Sequence, residues 1–260
     1  MVSVHLELLH GAENAFAVLD DRPSSERTNE EYAWIARAIR DTDGLLVLLP
    51  SSSGSVRMRM FNPDGGEAEM CGNGVRCVAR YLVERGEGDR FIVDTLAGPI
   101  GARLVSTTPY TVETQMGVPL VSAVAELDAA GQRWSYFKVD VGNPHAVIFV
   151  DDLKAIDLER VGPAIETHPD FPGGTNVHFV NVAGRSTLHV RHWERGAGAT
   201  RACGTGIVAS AATAIANGYV GSPVTVIAPG GTLRVAIDNR GRATLTGPVE
   251  HTGARELVVT

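Results

Sequence analysis

Hydrophobic residues alternate with polar ones from Val4 to Leu9 and gather again from Phe16 to Leu19, with the polar turn His10–Asn14 between them, which predicts a β-hairpin. Thr28-Asn29-Glu30-Glu31 has the form of a capping box, and Tyr32, Ile35, Ala36 and Ile39 follow at helical spacing, predicting a helix to about Arg40. Leu45–Leu49 reads as a buried strand, Ser51–Ser55 as a turn and Val56–Phe61 as an alternating strand. After the polar stretch Asn62–Glu69, small and apolar residues predict a buried helix from Gly72 to about Glu84, stopped by Arg85-Gly86. Strands at Phe91–Asp94, Ile100–Val105 and Thr111–Met116 close the first half near Gly117, and Val118–Gln132 reads as a connecting region.

The second half repeats this order. Strands are predicted at Trp134–Val141 and Ala146–Val150, a helix near Asp157–His168, and strands at Asn176–Val182 and Thr187–Trp193. Residues Gly204–Asn217 are nearly all small or apolar, so this helix is expected to be surrounded by protein. Strands at Val224–Ile227, Leu233–Ile237 and Ala243–Leu245 follow, and Glu250–Thr260 is expected to return to the first domain as an added strand. A shift of 132 residues superposes Cys71 on Cys203, Phe61 on Trp193, Gly44 on Asn176 and Gly98 on Gly230, while a shift of 131 places Asn14 on His145. Two copies of one domain account for a near-constant offset over separate segments. The expected division is 1–117, completed by 249–260, and 118–248.

At 260 residues and 44% hydrophobic, the chain can bury two cores, and no apolar run reaches membrane-spanning length. The start lacks the pattern of a signal peptide, so a cytoplasmic location is expected. A net charge of −7 without a basic cluster argues against nucleic acid and anionic membrane as partners. Three cysteines are expected to stay reduced. No Cys-x-x-Cys or His-x-x-x-His spacing is present, and His189 and His192 fall on opposite faces of a strand, so no metal site is expected. No Gly-x-Gly-x-x-Gly opens a βαβ unit and no Walker-type loop exists, so no cofactor is expected and the chemistry falls to side chains.

Met70-Cys71-Gly72-Asn73-Gly74 and Ala202-Cys203-Gly204-Thr205-Gly206 each set a cysteine at the start of a buried helix. Unpaired N–H groups and partial positive charge there favour an anion. The N–H groups of Gly72, Asn73, Gly204 and Thr205 are candidates to cradle a carboxylate, and a pseudo-twofold arrangement would set the two thiols on either side of its α-carbon. One sulfur would then remove a proton and the other supply one, inverting that carbon. Glu194 and His145 are the ionisable groups in the neighbouring turns, suited to orienting a substrate ammonium and tuning the thiols. Cys77, six residues past Cys71, fits an apolar packing role.

His10-Gly11-x-x-Asn14, Phe61-Asn62-x-Asp64-Gly65, Cys71-Gly72-Asn73-Gly74-x-Arg76-Cys77, Gly142-Asn143-Pro144-His145, Asn176-Val177 and Glu194-Arg195-Gly196-Ala197-Gly198-x-Thr200-x-x-Cys203-Gly204-Thr205-Gly206 together resemble the diaminopimelate epimerase family. The resemblance implies an α/β (α+β) fold of two pseudo-symmetric domains, each a mainly antiparallel sheet or barrel wrapped around a central helix. It implies a cofactor-independent isomerase that interconverts LL- and meso-diaminopimelate on the route to lysine and peptidoglycan. Cys71 and Cys203 would be the acid/base pair with His145 and Glu194 assisting, and Asn14, Asn62, Asn143, Asn176, Glu194 and Arg195 would contact substrate, with Gly72-Asn73 and Gly204-Thr205 on the carboxylate. A homodimer is one assembly open to it. Two positions depart from the family pattern: Ala15 replaces an aspartate, which is expected to loosen the turn holding Asn14, and Gly44 replaces a glutamine, removing a distal contact. A racemase of another amino acid, such as a proline-racemase-like enzyme, an isomerase with a carboxylate base, and a non-catalytic amino-acid-binding protein are the competing readings; Asn73, Arg195 and the paired cysteines argue against them.

Overall fold

The computed structural model describes residues 2–23 and 27–259; Met1 and Thr260, the two ends of the first expected domain, lie outside them. The chain forms two compact units, residues 2–115 with 246–259, and residues 116–245. Both are sheet-dominated α+β assemblies, and among the described residues no helix is long and apolar enough to cross a membrane.

In the first unit the hairpin Val2–Gly11 and Asn14–Asp20 lies beside Gly44–Leu49 in parallel, and Gly44–Leu49 pairs antiparallel with Val56–Phe61. Val56–Phe61 then runs parallel to Arg90–Thr95, which continues into the antiparallel strands Gly98–Thr107 and Tyr110–Gln115. Helix α1 (Asn29–Ala38) begins at Thr28 with the capping box formed and buries Tyr32, Ile35 and Ala36 against Leu45, Val47 and Phe61. Helix α2 (Gly72–Glu84) is enclosed by strands of the same unit, with Val75, Cys77, Val78 and Leu82 wholly buried. Cys77 packs in that apolar cluster, where burial pushes its thiol up to about 12.

The second unit repeats the plan. Gln132–Asp140 and Pro144–Phe149 form the hairpin, Asn176–Gly184 lies parallel to the latter, and Thr187–Glu194 returns antiparallel. Helix α3 (Leu158–Glu166) covers one face, where Gly162 lets the Trp193 ring lie directly on the helix backbone. Helix α4 (Gly204–Ala216) is enclosed, with Ile207, Val208, Ala209 and Ala211 fully buried.

Three expectations need correction. Val118–Gln132 is no mere connection: Leu120–Ala129 is a ten-residue strand paired with Gln132–Asp140 through the turn Ala130-Gly131. Most of its residues are exposed, so the inward-facing period that marks a strand is missing from the sequence. Its counterpart in the first unit is Glu250–Val259, which pairs antiparallel with Val2–Gly11, so the repeat draws this strand from the far end of the chain. Second, Leu45 faces Phe61 and Val177 faces Trp193 at the shift of 132, whereas Phe16 lies opposite Gly44 and His145 opposite Asn176. By strand register the mate of His145 is therefore Phe16, and the mate of Asn14 is Asn143. Third, Ala15 does not loosen its turn. The turn residues Ala12 and Glu13 take left-handed conformations (φ 55° and 59°), and Asp43 clamps the strand beside them, accepting from the Asn14 side chain at 2.7 Å and the Ala15 N–H at 2.8 Å. A backbone donor serves whatever the side chain at position 15.

Candidate active site

Each central helix opens on a cysteine. Cys71 and Cys203 have extended backbone (φ −140° and −113°), and each sulfur accepts the N–H three residues on, from Gly74 at 3.5 Å and Gly206 at 3.3 Å. The sulfur takes the place of the oxygen that ordinarily caps a helix. Two small residues follow because the helix start is packed: a Cβ on Gly74 would lie 3.0 Å from Leu46, and one on Gly206 would lie 2.1 Å from the His178 ring.

Around Cys71 the polar groups run in one direction. Arg76, wholly buried in α2, donates from Nη2 to Asn73 Oδ1 at 2.8 Å, Asn73 Nδ2 donates to Asn14 Oδ1 at 3.1 Å, and Asn14 Nδ2 donates to Asp43. The Cys71 thiol reaches Asn14 Oδ1 at 3.7 Å. The chain begins on a cation and ends on a carboxylate, which fixes every amide along it. Burial pushes the Arg76 guanidinium down, and a negative charge on a neighbouring sulfur would oppose that; with Cys77 held as a neutral thiol, this leaves Cys71 as the sulfur whose thiolate and the guanidinium would stabilise each other. Asn62 is half-buried in the turn after Phe61, closed by its own backbone with Gly65 and Gly66.

Cys203 sits in a different field. It is 4% exposed, and burial, then the Glu194 carboxylate, push its thiol well above the ordinary range against opposing contributions from Thr205 and the Gly206 N–H. Glu194 also accepts from the Thr200 hydroxyl, and the Thr205 hydroxyl lies 3.6 Å from the sulfur. The turn that carries Glu194 and Arg195 is tied down by Glu166 of α3, which accepts from Trp193 Nε1 at 2.6 Å and the Gly196 N–H at 2.9 Å. Asn176 engages both ends of its amide, donating to Pro144 O at 2.9 Å and accepting the Arg195 N–H at 3.1 Å. It thereby joins the Asn143–His145 turn to the Arg195 loop. Arg195, Lys138 and Asn143 line a pocket of about 600 Å³ in this unit.

His145 is 1% exposed and has both ring nitrogens engaged, Nε2 with Asn143 Oδ1 at 2.7 Å and Nδ1 with His178 Nε2 at 2.8 Å. Desolvation first, then the charges of His192 and Arg195, push it down to about 3, so it is a neutral ring that orients Asn143. Gly44 has no room for the longer side chain of the family pattern, because a Cβ there would lie 2.9 Å from Phe61 O. Asp43, Glu166 and His178 have no place in the sequence analysis, where Arg76 stands only as a motif residue and His192 only as a rejected metal ligand. Asp43, Glu166, His178 and His192 act on partners distant in sequence that the strands bring together, whereas Arg76 acts on Asn73 of its own helix.

The sequence model described as Diaminopimelate epimerase matches residues 8–121 and 137–252. A diaminopimelate epimerase of Carboxydothermus hydrogenoformans is 41% identical over 262 residues, covering 93% of this chain and 95% of the relative. One from Desulfitobacterium hafniense is 39% identical, with 94% of each chain covered. Among solved structures, a phenazine biosynthesis protein of the PhzF family from Bacillus anthracis superposes with TM-score 0.80 at 18% identity over 100% of both chains. A predicted epimerase from Pseudomonas aeruginosa gives 0.77 at 21% identity, covering 99% of this chain and 100% of that one, and both likenesses concern the fold. With the family model matched across both repeats and relatives near 40% identity end to end, this chain belongs to the diaminopimelate epimerase family.

Proposed function

We propose that this chain interconverts LL- and meso-diaminopimelate with Cys71 and Cys203 as its two acid/base groups. Family membership supports the reaction and the substrate. The observation that carries the chemistry is the pair of helix-capping cysteines, each with its sulfur already accepting a backbone N–H of a buried helix. In the LL-to-meso direction one sulfur, as thiolate, takes the α-proton, and the other, as thiol, delivers its own proton to the opposite face of the carbanion. Proton count balances, and the two sulfurs exchange roles for the return reaction. The contrast in surroundings favours Cys71 as the resting thiolate, beside buried Arg76, and Cys203 as the resting thiol, buried beside Glu194.

An α-proton is weakly acidic, so the carbanion needs a prepared field. The N–H groups at the helix starts, at Gly72 and Asn73 and at Gly204 and Thr205, are proposed to hold the reacting carboxylate. Asn14, Asn62, Asn143, Glu194 and Arg195 are proposed to contact the substrate. Asn73 and Asn176 hold Asn14 and the Arg195 loop with their side chains, so the part assigned to Asn73 at the substrate is its backbone N–H. Asn176 acts through that loop. Turnover of LL-diaminopimelate in reducing buffer with no added cofactor tests the proposal. Cys71→Ala and Cys203→Ala are each expected to lose about a thousandfold or more in kcat, since an acid/base group alone is worth about 10²–10⁴. Retained turnover in either variant would rule out the two-thiol assignment.

A further inference from the structure

The layer beneath each central helix is built from corresponding positions with opposite chemistry. Leu46 faces Met60 in the first unit and His178 faces His192 in the second, both pairs at the shift of 132, and His145 holds the register position of Phe16. Phe16, Leu46 and Met60 belong to an apolar core. The fold therefore fills this layer with hydrocarbon in one unit. Burying three imidazoles there in the other costs desolvation and calls for a reason besides packing.

The three rings form one hydrogen-bonded chain that starts at Asn143. Its bonds are Asn143 Oδ1 to His145 Nε2 at 2.7 Å, His145 Nδ1 to His178 Nε2 at 2.8 Å, and His178 Nδ1 to His192 Nδ1 at 2.8 Å. The chain stops at His192 Nε2, buried without a hydrogen-bond partner among the described residues. A neutral imidazole has one N–H and one lone pair, so such a chain has only two arrangements. With the Asn143 oxygen turned inward, His145 donates from Nε2, His178 donates from Nε2 to His145, and His192 donates from Nδ1 to His178. His192 Nε2 is left as a bare lone pair. Reversing every bond would turn the Asn143 amide over and leave a buried orphan N–H at His192, and buried donors without a partner are rare in folded proteins.

Asn143 is among the residues lining the pocket that also presents Arg195 and Lys138, and the direction of the chain decides whether the free end of its amide is a donor or an acceptor. We propose that His178 and His192 are positioning residues that, through His145, hold the Asn143 amide with its NH₂ toward the pocket as a donor to a substrate carboxylate. The substrate class rests on the diaminopimelate reading above.

The test is long-range ¹H–¹⁵N NMR of the full chain labelled at histidine, at neutral pH. The expected pattern is three neutral rings, with the proton on Nδ1 in His192 and on Nε2 in His145 and His178. A proton on Nε2 of His192, or nitrogens averaged between tautomers in any of the three, would overturn the proposal. His178→Leu, which installs the first unit's own residue, is then expected to release the His145 tautomer and raise KM for LL-diaminopimelate about tenfold, the worth of one hydrogen bond to a charged group, while lowering kcat less. An unchanged KM with an unchanged His145 tautomer would also overturn it. Should His178→Leu fail to fold, His192→Met and the wild-type tautomer pattern decide. A wild-type chain with no turnover of diaminopimelate would contradict the substrate reading and leave the tautomer pattern readable.

Discussion

Beneath Cys71 the chain places hydrocarbon in its strands and a cation in its helix; beneath Cys203 it places neutral imidazoles in its strands and hydrocarbon in its helix. Arg76 of α2 corresponds by the shift of 132 to Val208 of α4, and Phe16, Leu46 and Met60 correspond to His145, His178 and His192. Both arrangements reach an asparagine at the hairpin turn, Asn14 through Asn73 and Asn143 through His145. One is driven by a buried charge, which gives the amides a fixed sense, and the other by neutral rings whose sense is set by a single orphan nitrogen. A duplicated domain can thus keep its backbone geometry while giving its two sulfurs opposite electrostatic settings.

The largest expected break in the comparison comes from acid. Burial holds His145 and His192 at about 3 and pushes His178 well down. The unfolded chain takes up protons at these rings below about 6.5 while the folded chain does not, so their contribution is complete above that pH and is lost as pH falls toward 3. At pH 5 the loss is about 2 kcal/mol each for His145 and His192. Urea midpoints of the wild type should therefore fall between pH 7 and 5 by more than those of a His178→Leu/His192→Met chain. Parallel pH dependence in the two would show that the rings are not held neutral.

Smaller is the contrast between two glycines. Gly206→Ala would drive a Cβ into the His178 ring and is expected to destabilise by about 3 kcal/mol, the upper end for overpacking. Gly74→Ala meets only the tip of Leu46 and is expected to cost about 1 kcal/mol or less. Thermal unfolding of both variants reads the difference. Smaller again is Arg76→Val, which gives α2 the residue of α4. It is expected to lower kcat about tenfold by removing one charge-assisted link and the support for a Cys71 thiolate, with little change in stability because a buried charge is replaced by hydrocarbon. Unchanged kcat would deny Arg76 any part in the difference between the sulfurs.

Much of this was legible in the sequence because the signals are local. Cys-Gly-x-Gly before a run of small residues announces a capped, buried helix, and α2 begins at Gly72 and α4 at Gly204 as that pattern predicts. The capping box at Thr28 likewise marks the start of α1. What stayed hidden depends on pairing between distant segments. Leu120–Ala129 lacks an inward apolar face and has its counterpart at the other end of the chain. His192 was visible as a lone histidine on a strand, but its link to His178 exists only once the two strands are paired. Arg76 reads as a polar position on a helix face and is instead enclosed, which sequence periodicity alone does not reveal.

The two-thiol claim is tested most directly by turnover of LL-diaminopimelate in deuterium oxide, stopped at a few per cent conversion. A thiol carries one proton, so the proton removed resides on one sulfur and the one delivered comes from the other, already exchanged with solvent. The predicted result is meso product fully deuterated at the inverted carbon, with unreacted substrate essentially free of deuterium. Product that retains the original proton at that carbon would show a single group serving both faces and would contradict the account.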